Sequence, residues 1–166
     1  IGDALCVNGA LTSLDLQWNH VDTEGGKAIA EALRVNGVLK LLTLDQFHLP
    51  IKQLKGTDPV DTLDLSGKNL GVASGIVIAK CIEVNGALTS LNIGGNEREA
   101  ALIIVRAVRQ HDRIKTLGLS DSELGPADAQ EIAEYVRISS ALTSLDVGYN
   151  GKEAVLVIAR AVRQHD

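Results

Sequence analysis

Three stretches decide the reading of this chain: "ALTSLDLQWN" (residues 10–19), "ALTSLNIGGN" (87–96) and "ALTSLDVGYN" (141–150). Each spells Leu-x-x-Leu-x-(Leu, Ile or Val)-x-x-Asn. Weaker copies begin at Leu39 ("LKLLTLDQF"), Val60 ("VDTLDLSGK") and Ile114 ("IKTLGLSDS"). The second apolar anchors are Leu14, Leu42, Leu63, Leu91, Leu117 and Leu145, spaced 28, 21, 28, 26 and 28 residues apart. A fixed period of this size marks stacked supersecondary units.

Within each unit the hydrophobic period changes. The Leu-x-Leu core alternates apolar and polar residues, which predicts a short strand. The next segment has a helical period: in "DTEGGKAIAEALRVNG" the inward candidates are Ala28, Ile29, Ala32, Leu33 and Val35. Asp22 or Thr23 can cap its start, and Gly37 can end it. Helices are expected over about 23–36, 71–85, 98–111, 126–139 and 151–165. One such unit buries too little apolar surface to offset its own ordering, so the units must stack. Strands side by side form a parallel sheet, and the wider helices form an outer layer that bends the stack. Asn19, Asn96 and Asn150, at the strand exits, are placed to bond backbone groups there.

This pattern resembles the leucine-rich repeats of the ribonuclease-inhibitor type, over essentially the whole chain. Phe47, Lys68 and Ser122 stand where the repeat's Asn is expected. The phrases "EALRVNGVLK" and "AKCIEVNGALTSLNIGGN" also resemble long repeat proteins of microbial eukaryotes. The resemblance implies an α/β solenoid of about six repeats, a curved horseshoe with parallel strands on the concave face and helices on the convex face. It implies a single domain over 1–166.

The beat fails between Leu42 and Leu63. The short unit holds Pro50 and Pro59, two of the three prolines, and the only Phe. Its irregular part, at about 45–62, has room for one helical turn in "IKQLKG". Phe47, Leu49, Ile51 and Leu54 are expected to plug the core where a helix would sit. The expected result is a structural seam with a thinned outer layer and a local change of curvature, a binding feature being the alternative. At the ends, "IGDALCVNG" matches a helix tail without its strand, and "NGKEAVLVIARAVRQHD" repeats "NEREAALIIVRAVRQHD". Neither is a polar capping unit. The chain is therefore expected to be part of a longer array, or to associate end to end.

Composition narrows the functional classes. The chain has 166 residues and a net charge of -5, so generic attraction to nucleic acid or to anionic membranes is not expected. Its apolar runs are too short to span a bilayer, and its opening residues show no basic-then-apolar secretory pattern. Cys6 and Cys81 occupy non-equivalent repeat positions, so no disulfide is expected. Cys81 takes the place of Ala32, facing the core, and Cys6 that of Arg34, on the surface. An intracellular, cytoplasmic setting fits.

Catalytic signatures are missing: there is no nucleophile elbow, P-loop or His-Glu-x-x-His, and no metal-ligand spacing. Neither a cofactor nor a metal is expected. Of the histidines His20, His48, His111 and His165, the last two share the place of Asn36 and Asn85, which fits a helix-end cap. Arg34, Arg109, Arg137 and Arg163 share a last-turn position where a cation offsets the helix dipole, an acidic partner lying along the stripe being the alternative.

The concave face is the stronger candidate. Its rows supply Asp15, Gln17, Trp18, Asp45, Gln46, Asp64, Asn92, Asp121, Asp146 and Tyr149, an acidic trough with an aromatic near each end. Aromatics anchor interfaces, and carboxylates in a row favour a basic protein partner. The expectation is a non-enzymatic protein-binding scaffold. The resemblance also admits an activator of small GTPases, and a structural segment of a larger assembly is a third reading.

Overall fold

The structure is a computed structural model, and it describes residues 1–163. Helix α1 (Gly2–Val7) leads into β1 (Ser13–Asp15) and α2 (Thr23–Val35). The next unit holds β2 (Leu41–Leu44), β3 (Phe47–Pro50) and the one-turn α3 (Ile51–Leu54). Three regular units follow: β4 (Thr62–Asp64) with α4 (Val72–Ile82), β5 (Ser90–Asn92) with α5 (Arg98–Arg109), and β6 (Thr116–Gly118) with α6 (Pro126–Ile138). The last described pair is β7 (Ser144–Asp146) with α7 (Lys152–Val162). All six expected strands and all five expected helices are present. The expected end of the last helix, with His165, lies outside the described residues.

The parallel pairs are in register at the anchors: Leu14 with Leu42, Leu63 with Leu91, Leu91 with Leu117, and Leu117 with Leu145. One expectation is corrected. The sheet does not run unbroken through all six units. It divides into β1-β2-β3 and β4-β5-β6-β7, and β3 runs antiparallel to β2. The turn joining β2 to β3 is Asp45–Gln46, with φ of 47° and 68°. Two successive left-handed residues make the turn whose twist suits a two-residue hairpin. The short unit thus spends its residues on a hairpin rather than a helix.

The core is a series of thin aliphatic layers. Leu42, Leu91 and Leu117 are fully buried, while the outermost anchors Leu14 and Leu145 are only half-buried, each lacking a layer on one side. Leu49, Ile51 and Leu54 fill the seam as expected, with Phe47 packed against them at the edge. With no full helix in the short unit, α2 lies directly against α4. Small residues allow this approach: a Cβ on Gly26 would stand 3.0 Å from the Cα of Ala73, and one on Gly75 2.9 Å from that of Ala100.

Two buried polar ladders tie each unit to its neighbour. Asn96 donates from Nδ2 to the carbonyls of Leu65, Ile93 and Gly94, and its Oδ1 accepts from the backbone N–H groups of Lys68 and Leu70. Asn150 does the same for Ser122 and Leu124. The loops at Lys68 and Ser122, which have no Asn of their own, are therefore completed by the Asn of the following unit. At the helix ends Asn36 reaches back to the carbonyls of Leu5 and Asn8, and Asn85 to those of Gln53 and Leu54. Lys55 supplies the same link at the seam, donating to the carbonyls of Leu33 and Asn36.

The 26-residue spacing has a local cause. The loops after β1, β4 and β6 use a second left-handed residue, His20, Asn69 and Glu123, before N-caps at Asp22, Gly71 and Gly125. The loops after β5 and β7 omit it and reach N-caps at Glu97 and Gly151 two residues sooner.

Candidate functional site

Each strand turns one row of side chains away from the core, and the loop beyond it continues that surface. Asp15, Asp64 and Asp146 are exposed on this face, and each is braced by its own loop. Asp15 accepts from the backbone N–H and the side-chain amide of Gln17. Asp64 accepts from the Ser66 hydroxyl at 2.6 Å and from the Ser66 N–H. The Ser66 hydroxyl, helped by that N–H, holds the Asp64 carboxyl below its usual range. Asp146 accepts from the Gly148 N–H. Three carboxylates are thus held in fixed directions on an open surface.

The remaining positions of the row differ. Asn92 accepts from the Gly94 N–H and lies over Gly118, where a Cβ would come within 2.3 Å of its Oδ1. At the seam Thr43 is buried, with its hydroxyl 2.7 Å from His48 Nδ1. The hairpin therefore sets His48 beside Thr43, which itself pairs with Asp15, a placement no spacing rule showed.

Beyond the strands, Trp18, Gln46, Asp121 and Tyr149 all have φ between 52° and 68°, and Gly67 and Gly95 take the same conformation at the equivalent positions. Left-handed backbone is costly for aromatic residues, yet it turns Trp18 and Tyr149 outward, where they are 73% and 94% exposed. They stand on the first and last strand-exit loops. Asp45 sits in the hairpin turn rather than along a strand. Its Oδ2 accepts from the N–H groups of Gly71 and Ser74, which caps α4 from a neighbouring unit.

The structure brings Trp18, Asp45 and Gln46 together around one cleft of about 550 Å³ at the seam, lined also by Leu16, Val21, Leu44, Val72 and Ala73. Asp64, Asn92, Asp121, Asp146 and Tyr149 belong to the second sheet and its loops. On the convex side Arg34 pairs with Glu31, Arg109 with Glu134, and Arg106 in bidentate fashion with Glu131 of the next helix. Among the described residues, no group of three or more His, Cys, Asp or Glu side chains is placed to hold a metal ion. None of the described helices is long and apolar enough to cross a membrane. Cys81 is buried and Cys6 exposed, both free.

Parallel Leu-x-Leu strands alternating with helices, joined by asparagine ladders, define a leucine-rich repeat fold. Comparison with known proteins agrees. Residues 10–30 match the family model described as Leucine Rich repeat. Among solved structures, the Caenorhabditis elegans tropomodulin C-terminal domain superposes with a TM-score of 0.51 at 12% identity, over 99% of this chain and 90% of that one. The Leiomodin-1 structure described as Actin-Binding Site 2 gives a TM-score of 0.47 at 17% identity, over 99% of this chain and 86% of that one. At 12% identity the likeness to the tropomodulin domain is one of fold. No curated protein matches the chain.

Proposed function

We propose that this protein is a non-enzymatic scaffold of the ribonuclease-inhibitor-like repeat type. It binds a basic protein partner through its concave face and the adjoining loops. The observation that carries this reading is the row Asp15, Asp64 and Asp146, exposed and each anchored to its own loop. A carboxylate already held in one direction loses little freedom on contact, so more of its attraction survives as affinity. Trp18 and Tyr149 supply large exposed aromatic surfaces near the two ends of the row. Two unpaired thiols, one at the surface, favour a reducing compartment.

A pull-down comparing the wild type with Asp15/Asp64/Asp146→Asn tests this. Asn keeps the oxygen that accepts each loop's backbone N–H and removes the charge, losing at Asp15 also the bond from the Gln17 side-chain amide. Proteins recovered by the wild type are expected to be lost with the triple variant, and to be released from the wild type as salt is raised. Equal recovery by both would remove the acidic row from the account.

A further inference from the structure

The seam cleft has a volume of about 550 Å³, and its origin lies in the short repeat. The unit from Leu42 to Leu63 spans 21 residues instead of 28 and turns back at Asp45–Gln46. The long loop and first helical turn that would have covered this place are missing. The apolar floor is formed by the partly exposed Val21 and Val72, with the buried Leu16 and Leu44 beneath them. Trp18, the only tryptophan in the chain, stands at its edge and is mostly exposed.

The charge in this cleft has one sign. Asp22, Asp45 and Glu97 line it beside His20, and no Lys or Arg does. Asp22 and Asp45 each spend one oxygen on a helix start, at Gly25 and at Gly71 with Ser74. Their second oxygens, and both oxygens of Glu97, have no hydrogen bond among the described residues. Lys68, in the neighbouring loop, is held over the Phe47 ring at 5.6 Å. An apolar floor, carboxylates with free lone pairs and an exposed indole are together complementary to one kind of side chain. An arginine lays its methylene stem on the floor, directs its planar fork at the carboxylates, and stacks on the indole face.

We infer that the seam cleft is a docking pocket for an arginine side chain of a protein partner, seated against Trp18 and bonded by Asp45 and Glu97. The inference rests on the scaffold reading but assigns no part to Asp15, Asp64 or Asp146. Loss of the pocket therefore leaves the pull-down result unchanged, and failure of the acidic row leaves the pocket intact.

The probe is the dipeptide N-acetyl-Leu-Arg-amide, with N-acetyl-Leu-citrulline-amide as its uncharged counterpart. Binding is followed by the indole N–H resonance, which is single because Trp18 is the only tryptophan. So small a ligand is expected to bind with a Kd on the order of 1 mM. The arginine peptide should shift the indole signal saturably, and the citrulline peptide should bind at least about tenfold more weakly. Asp45→Asn/Glu97→Gln should weaken the arginine peptide by a similar factor, with amide dispersion showing that the fold is kept. Glu97→Gln alone, which breaks no bond, should weaken it as well. Equal binding of the two peptides, unchanged binding by the variants, or no saturable shift of the indole signal would each overturn the pocket.

Discussion

Replacing Asn96 by Ala tests the idea that neighbouring units hold one another through buried amides. The side chain is 8% exposed and makes five hydrogen bonds, two of them accepted from the N–H groups of Lys68 and Leu70 in the preceding unit. Alanine strands both donors, and Leu70 is itself fully buried. Each orphaned buried group costs about 1–3 kcal/mol, so the variant should lose about 3–5 kcal/mol. Asn19 is the internal control. It has the same place in its own unit but bonds only the carbonyls of Leu16 and Gln17 in its own loop. Asn19→Ala should cost about 1 kcal/mol. Urea denaturation followed by far-ultraviolet circular dichroism measures both. Equal losses would refute coupling through the ladder, because the two residues differ chiefly in their bonds to the unit before.

Three further outcomes follow from single contacts. Gly94→Ala should lower stability by about 1–3 kcal/mol in a thermal melt, because its Cβ would come 2.5 Å from the Ser120 carbonyl oxygen, a backbone atom of the next unit. Asp112 accepts from the hydroxyls of Ser139 and Ser140, and these bonds hold its carboxyl at about 2, down from the ordinary 3.8. A lowered carboxyl contributes stability above its unfolded value and loses it as the pH falls through the folded one. Wild type should therefore lose stability more steeply than Asp112→Asn between about pH 4 and pH 2. Cys6 should be alkylated by iodoacetamide in the native protein at pH 8 while Cys81, whose thiol burial pushes up to about 12, reacts only on unfolding.

Most of the architecture was legible because each unit repeats the same physical demand. Leu14, Leu42, Leu63, Leu91, Leu117 and Leu145 all anchor strands, and the helices begin within a residue or two of the expected places. The hairpin was not legible. Its turn, Asp45–Gln46, lacks the Asn-Gly or Asp-Gly pair that usually marks two left-handed residues, and β3 ends on a proline. The two apolar alternations "LLTL" and "FHLP", separated by two residues, were the signal available. Missing that turn also hid three placements: Asp45 as the cap of α4, His48 over Thr43, and the cleft beneath Trp18. The exposed aspartates and aromatics could be assigned to a face by register alone. Which of them gather around one hollow depended on where the chain doubles back.

The interruption at the seam is the feature on which the cleft and the divided concave face depend, and amide hydrogen exchange reads it directly. Ser90, Thr116 and Ser144 donate to the carbonyls of Asp61, Thr89 and Lys115 in the unit before each. Thr62 holds the same position in β4, but among the described residues no strand is hydrogen-bonded to that edge of it. The Thr62 amide should exchange far faster than those of Ser90 and Thr116. Protection of Thr62 equal to theirs would mean an unbroken parallel sheet, and the hairpin account would fall.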